Sequence, residues 1–226
     1  MKIKGAIFDM DGTLVDSMMF WEILWKKVGL QYRNDPSFRP PIEVEKATRT
    51  MIYREGMAYV NRVCGLTAED AEFVAFAEAG VTDFYRTVAH PKEGAIALLQ
   101  ALRAKGISVY LASATAMSEI RLALDCYGMT DLFDGILSCV DIGVGKDRPD
   151  IYRLAMDQMG MSAEEVCVFE DSFVAMETAK KIGCHTVGIF DPYNLGQDRL
   201  RAASEVYVEE GQRLDGLAEI IETMET

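Results

Sequence analysis

Two aspartates, Asp9 and Asp11, lie one residue apart where a short apolar run ends, in the segment FDMDGTLVDS at residues 8–17. Burying a carboxylate is costly unless a cation or hydrogen bonds compensate it, so two acids crowded at this point need an explanation. A bare Asp-x-Asp is most often an acidic turn before a helix. In phosphoryl transfer, one such acid can attack phosphorus while the second exchanges a proton with the leaving group and then with water.

Polar side chains also follow three later apolar runs. Ser113 ends the second run, Lys146 follows the third in a glycine-rich loop, and Glu170 with Asp171 ends the fourth. Carboxylates are the hard oxygen ligands that Mg²⁺ prefers, and a hydroxyl and a lysine can hold phosphoryl oxygens. Each residue alone has an ordinary structural role as a helix cap or a solvated charge. Their joint occurrence at four strand ends favours phosphoryl transfer.

Six apolar runs predict β-strands, and they alternate with amphipathic helical patterns. The runs cover residues 3–8, 107–112, 136–139, 166–169, 185–190 and, more weakly, 205–208. The helical patterns cover residues 93–105, 117–127, 149–159, 173–182 and 214–224. This alternation predicts an α/β fold with a doubly wound parallel sheet, in which ligands bind beyond the carboxyl ends of the strands. The polar residues at the strand ends are therefore expected on one edge of the sheet.

The interval between residues 17 and 88 differs from the rest of the chain, because its patterns are helical and include no convincing strand. We therefore expect an all-helical cap domain at residues 17–88. It would be inserted into an α/β catalytic core formed by residues 1–16 and 89–226. A cap of this kind can exclude water from a reaction centre and select the substrate.

Composition restricts the partners of the protein. The 226-residue chain has a formal net charge of −13, so it should repel nucleic acid. Its five cysteines are widely spaced and form no C-x-x-C pair, which indicates neither a disulfide frame nor a zinc site. No apolar stretch is long enough for a signal peptide or a membrane span. We expect a cytoplasmic monomer that binds a small phosphorylated metabolite and neither nucleic acid nor a membrane.

Four motifs spread over most of the chain carry a resemblance to a known family. They are FDMDGTLVDS (8–17), LASAT (111–115), GKDRPDIY (145–152) and VFEDS (168–172). With these motifs the chain resembles the haloacid dehalogenase (HAD) superfamily of phosphotransferases, in the branch with a small helical cap after the first strand. The resemblance implies a Rossmann-like core and a reaction that uses Mg²⁺.

The resemblance also implies a role for each matching residue. Asp9 would be the nucleophile and Asp11 the general acid/base, with Thr13 helping to fix Asp11. The substrate-binding residues implied are Thr13, Ser113, Ala114 and Lys146. The metal-binding residues implied are Asp9, Asp11 through its backbone carbonyl, Glu170 and Asp171.

Together these features predict a Mg²⁺-dependent phosphoric monoester hydrolase that acts on a small phosphate monoester through an aspartyl-phosphate. The substrate would be a sugar phosphate or a nucleotide. A phosphomutase of the β-phosphoglucomutase type uses the same core and is the nearest alternative. Such mutases carry a cap histidine where this chain has Trp21, which argues against that activity. A non-catalytic phosphate-binding protein is a further alternative, but such a protein needs no nucleophile.

Overall fold

The computed structural model describes residues 2–224, apart from the side chains of Thr50 and Glu222. In this range the strands are β1 (Gly5–Phe8), β2 (Val15–Asp16), β3 (His90–Pro91), β4 (Ser108–Ser113), β5 (Gly135–Ser138), β6 (Val166–Glu170), β7 (His185–Ile189) and β8 (Val206–Val208). The α-helices are α1 (Phe20–Tyr32), α2 (Ile42–Thr50), α3 (Tyr53–Cys64), α4 (Asp70–Thr87), α5 (Ala95–Ala104), α6 (Met117–Tyr127), α7 (Cys139–Ile142), α8 (Asp150–Met159), α9 (Phe173–Lys181), α10 (Gln197–Ala203) and α11 (Leu217–Thr223).

A parallel sheet forms the centre of the part of the chain outside residues 19–88. In the described part of the chain it has six strands in the order β5-β4-β1-β6-β7-β8. Phe8 of the central strand β1 is in register with Leu111 of β4 and with Phe169 of β6. Strands covered on both faces must be apolar throughout, and all four residues of β1 are buried. The predicted α/β fold with a doubly wound parallel sheet is confirmed.

Helix packing fixes the strand ends next to the polar residues. Helix α8 buries Ile151, Tyr152 and Ala155, and the first and last of these follow the four-residue spacing of one helical face. Across the central strands, the rings of Phe8 and Phe169 stack with centroids 4.0 Å apart. Burial of each such large side chain contributes about 1.5–3 kcal/mol relative to exposure. The carboxyl ends of β1 and β6 are thus held by a dense core directly beneath them.

The six predicted strands are all present, with ends displaced by at most two residues. The features that were not predicted include a short helix and a separate pair of strands. The helix α10 contains only two turns, so residues 197–203 give too little apolar periodicity to be recognised. The strands β2 and β3 form a separate two-residue antiparallel ribbon in which Val15 faces Pro91, and such short pairing leaves no pattern in the sequence.

The chain divides after Met18 and after Val88 into two compact units. The segment Met19–Val88 contains α1 to α4, and its apolar centre includes Trp25 and Phe73. The chain on both sides of this segment forms the other unit, which contains the parallel sheet. Among the helices of residues 2–224, none is both long enough and apolar enough to cross a membrane.

Candidate active site

The turn after β1 places Asp9 and Asp11 at the carboxyl end of the central strand. The backbone N–H of Asp9 still donates to the carbonyl of Phe169 at 3.0 Å, so the sheet pairing continues up to this aspartate. The chain then turns at Gly12, whose φ of +83° is in the left-handed region that favours glycine. A Cβ atom at Gly12 would lie only 2.0 Å from Oδ2 of Asp171. Glycine is therefore required both by the turn and by the close approach of this carboxylate.

Three buried carboxylates meet at this edge of the sheet. Asp9, Glu170 and Asp171 each offer one oxygen within 4.8 Å of the others. Their exposed fractions are 7%, 1% and 3%. Hard oxygen donors at this spacing are the ligands that a divalent cation such as Mg²⁺ takes. The acidic cluster fits a divalent metal ion.

Lys146 faces two of the three acids. It lies in the loop before α8, and its Nζ contacts a carboxylate oxygen of Asp9 and lies 2.5 Å from Oε1 of Glu170. Its side chain is only 10% exposed. Burial opposes the charge of Lys146, but Asp9 and Glu170 raise the pKa of the ammonium above its ordinary value. The lysine therefore stays charged and compensates part of the negative charge of the cluster.

Burial, together with the negative charge that Lys146 does not compensate, shifts the pKa values of the acids. Burial raises the pKa of Asp9 to about 7; Lys146 opposes this shift, and Glu170 and Asp11 add to it. Burial, together with Asp9 and Glu170, raises the pKa of Asp171 well above its ordinary value. A bound cation favours the ionised forms of such groups. The electrostatics of the cluster therefore agree with its chemical fit to a divalent cation.

Two hydroxyl groups hold the carboxylate of Asp11. Ser17 Oγ donates to Asp11 Oδ1 at 2.7 Å, and Thr115 Oγ1 donates to Asp11 Oδ2 at 2.7 Å. Thr115 follows β4, and its own backbone N–H donates to Ser113 Oγ at 3.0 Å. Ser113 is buried at the end of β4 and Ala114 beside it is exposed. The turn after β4 thus supplies both the predicted serine and a threonine that orients Asp11.

The structure gives the Thr13 hydroxyl a partner that was not predicted. Thr13 is expected to help fix Asp11, and in the structure its hydroxyl donates to Oδ1 of Asp171 at 3.3 Å. Asp171 belongs to the turn after β6, where the loop from β1 passes close to it. Thr13 is buried, so this hydrogen bond is shielded from solvent. Its observed role is to hold an acid of the cluster.

The structure adds four polar residues that were not among the predicted site residues. Two of them, Ser17 and Thr115, lie inside the quoted motifs, so their hydroxyls could have been recognised as partners for Asp11. Tyr152 also lies in a quoted motif, and its buried hydroxyl donates to Oε1 of Glu170 at 3.1 Å. The fourth, Asn194, follows β7, a strand whose carboxyl end has no predicted site residue. Its side-chain amide donates to Oδ2 of Asp171 at 2.7 Å.

Curated proteins and solved structures are similar to this chain over most of its length. The curated relatives include the phosphorylated carbohydrates phosphatase of Thermotoga maritima, which is 24% identical over 97% of this chain and 100% of its own length. They also include hexitol phosphatase A of Escherichia coli, 29% identical over 85% of each chain. Among solved structures, β-phosphoglucomutase from Clostridium difficile has the same fold, with a TM-score of 0.74, 16% identity and coverage of 97% of each chain.

A family model supports the assignment directly. The model described as a haloacid dehalogenase-like hydrolase matches residues 3–183, which include the whole acidic cluster and Lys146. This range is more than half of the chain, and it confirms the resemblance predicted from the four motifs. The chain belongs to the haloacid dehalogenase-like hydrolase family.

Proposed function

We propose that this protein is a Mg²⁺-dependent phosphatase that hydrolyses a small phosphate monoester through a phosphorylated Asp9. The observation that carries the proposal is the cluster of Asp9, Glu170 and Asp171, in which Lys146 contacts the first two, with Asp11 held by two hydroxyls. Membership of a hydrolase family and relatives that are phosphatases support the same conclusion.

In the first step, an oxygen of Asp9 attacks phosphorus and the bond from phosphorus to the ester oxygen breaks. Asp11 donates its proton to that leaving oxygen, which departs as an alcohol. In the second step, the carboxylate of Asp11 takes a proton from water, and the water oxygen attacks phosphorus. The bond between phosphorus and Asp9 then breaks, which releases inorganic phosphate and restores both acids.

The other polar residues position the phosphoryl group. Lys146 supplies a positive charge next to Asp9, and Ser113 supplies a hydroxyl at the neighbouring strand end. Fixed donors of this kind stabilise the charge on the phosphoryl oxygens in the transition state. Asp9, Glu170 and Asp171, with the backbone carbonyl of Asp11, would hold Mg²⁺. When bound, Mg²⁺ supplies positive charge that neutralises the acids and the phosphoryl oxygens.

The nature of the substrate is the least constrained part of the proposal. A sugar phosphate is favoured over a nucleotide because the T. maritima and E. coli relatives are named for carbohydrate and hexitol phosphates. The segment Met19–Val88 would act as a cap that selects the substrate. We also propose that the enzyme works in the cytoplasm as a monomer.

The experiment that tests this function is hydrolysis of p-nitrophenyl phosphate by the wild type and by Asp9→Asn. We expect turnover that requires Mg²⁺, stops with EDTA and is abolished in Asp9→Asn. Asp131→Asn, which changes an exposed aspartate outside the cluster, is the matched control and should retain full activity. Near-normal turnover by Asp9→Asn would show that the nucleophile is wrong.

A second assay separates hydrolysis from the mutase alternative. A hexose 1-phosphate is incubated with the enzyme and followed by ³¹P NMR. A phosphatase releases inorganic phosphate, whereas a mutase accumulates the 6-phosphate. A 6-phosphate product without phosphate release would overturn the proposed phosphatase activity while leaving the role of Asp9 intact.

A further inference from the structure

The loop between β7 and α10 contributes a residue that the proposed reaction does not use. β7 lies next to β6 in the sheet, so the residues after it reach the same edge as Glu170 and Asp171. Here the side-chain amide of Asn194 donates to Asp171 twice, to Oδ2 at 2.7 Å and to the backbone carbonyl at 3.0 Å. One side chain thus restrains both the carboxylate and the backbone of this acid.

The orientation of the Asn194 amide is defined by its other partner. The backbone N–H of Leu195 donates to Asn194 Oδ1 at 3.1 Å, so this oxygen faces a donor. The amide nitrogen then faces the two oxygens of Asp171. Reversing the amide would bring oxygen against oxygen at both contacts. The hydrogen-bond pattern therefore allows only one orientation, with the amide donating to Asp171.

The loop itself is anchored to the core through Asp191. This side chain is fully buried; its Oδ1 accepts the backbone N–H of Tyr193 at 2.9 Å and its Oδ2 accepts Lys92 Nζ at 3.0 Å. The side-chain amide of Gln197 donates to the carbonyl of Asp191 at 2.9 Å and to that of Asn194 at 3.3 Å. Asn194 therefore lies in a loop that is held in place, as is needed for a residue that orients another side chain.

We propose that Asn194 is a positioning residue for the metal ligand Asp171. Thr13 donates to Oδ1 and Asn194 to Oδ2, so the two contacts fix the rotation of the carboxylate. Each carboxylate oxygen can accept more than one partner, which leaves Asp171 able to bind a cation. The inference rests on the proposed function, because it assumes that Asp171 binds the metal. Partners of this kind in the outer shell of a metal site influence metal affinity strongly.

The test measures binding of Mn²⁺, an oxygen-preferring substitute for Mg²⁺, to the metal-free full-length protein by electron paramagnetic resonance. We expect Asn194→Ala to weaken Mn²⁺ binding by ~10–100-fold, as is typical for loss of an outer-shell partner. In turnover assays, the Mg²⁺ concentration for half-activation should rise by a similar factor. At saturating Mg²⁺, the KM for p-nitrophenyl phosphate should match that of the wild type. A general loss of structure would not produce this combination.

Two further variants keep the result interpretable. Leu195→Ala removes an exposed side chain from the same loop and should bind Mn²⁺ like the wild type. Asn194→Ser shortens the side chain by one atom but keeps a polar group for the local backbone, and it replaces Asn194→Ala if that variant does not fold. Wild-type Mn²⁺ affinity in the folded Asn194 variant would overturn the inference and leave the proposed function standing. Absence of Mn²⁺ binding by the wild type would overturn both.

Discussion

Gly12→Ala is the substitution for which the structure gives the sharpest expectation. The new Cβ would lie 2.0 Å from Oδ2 of Asp171, against an ordinary contact distance of at least 3.4 Å. The carboxylate must therefore move by about 1.4 Å or the turn must open. The left-handed backbone at Gly12 adds strain for any residue with a side chain. We expect a loss of ~1–3 kcal/mol from backbone strain and a further ~1–3 kcal/mol from the overlap.

The displacement also predicts a loss of activity, because a misplacement of about 1 Å in a catalytic group can cost ~100-fold in rate. The matched control is Gly106→Ala: Gly106 has a similar φ of +76°, but its new Cβ would meet nothing within 4 Å. It should show the strain alone, with normal turnover. Urea unfolding and p-nitrophenyl phosphate hydrolysis measure the two effects. Equal stability losses in both variants, with normal turnover in Gly12→Ala, would refute the assignment of Asp171 to the reaction centre.

Two further substitutions test the electrostatics and the proton transfer. Because the pKa of Asp9 is raised to about 7, its folded form holds a proton more tightly than the unfolded chain, and this stabilising contribution is lost as pH rises through 7. The free energy of unfolding is measured in urea with EDTA as a function of pH. From about pH 5.5 to about pH 8.5, the difference between Asp9→Asn and the wild type should move by ~2 kcal/mol in favour of the variant, whereas Asp131→Asn should show no such change. Parallel stability curves for Asp9→Asn and the wild type would contradict the raised pKa. Thr115→Val removes a hydrogen bond to Asp11 and should lower kcat by ~10-fold with little change in KM. Thr115→Ser keeps a hydroxyl and should restore kcat. Equal kcat values in the wild type and both variants would exclude a role of Thr115 in orienting Asp11.

The positions of the main site residues could be predicted because of a general property of parallel sheets. Asp9, Ser113 and Glu170 each lie at or directly after an apolar run, and the carboxyl ends of parallel strands lie at one edge. The order of the runs along the chain was enough to infer this juxtaposition without distances. The position of Lys146 could be predicted for the same reason, since it lies between β5 and α8, in the loop after the short helix α7. Their catalytic roles remain predictions.

The hydrogen-bond partners of these residues were less accessible to sequence reasoning. Thr13 is nearer to Asp11 in sequence, yet it donates to Asp171, which is 158 residues away. Such a contact depends on how closely two loops approach, and here the absence of a side chain at Gly12 allows that approach. Asn194 illustrates the same difficulty, because a single amide after a strand is an ordinary loop residue until its neighbours are known. The sequence pattern specifies strand ends, whereas loop packing specifies partners.

The same packing connects the state of the nucleophile to cation binding. Three buried carboxylates lie together and Lys146 contacts two of them, so one positive charge cannot neutralise the cluster, and the pKa values of Asp9 and Asp171 rise as a result of burial and mutual repulsion. With its pKa raised to about 7, Asp9 is partly protonated near neutral pH and would have to lose that proton to hold a divalent cation, because metal ligands bind in their deprotonated form. Asp9 is then ionised and able to attack phosphorus. A cation held by these acids would therefore keep Asp9 in the ionised form that attacks phosphorus, which is a physical reason for crowding these acids at neighbouring strand ends.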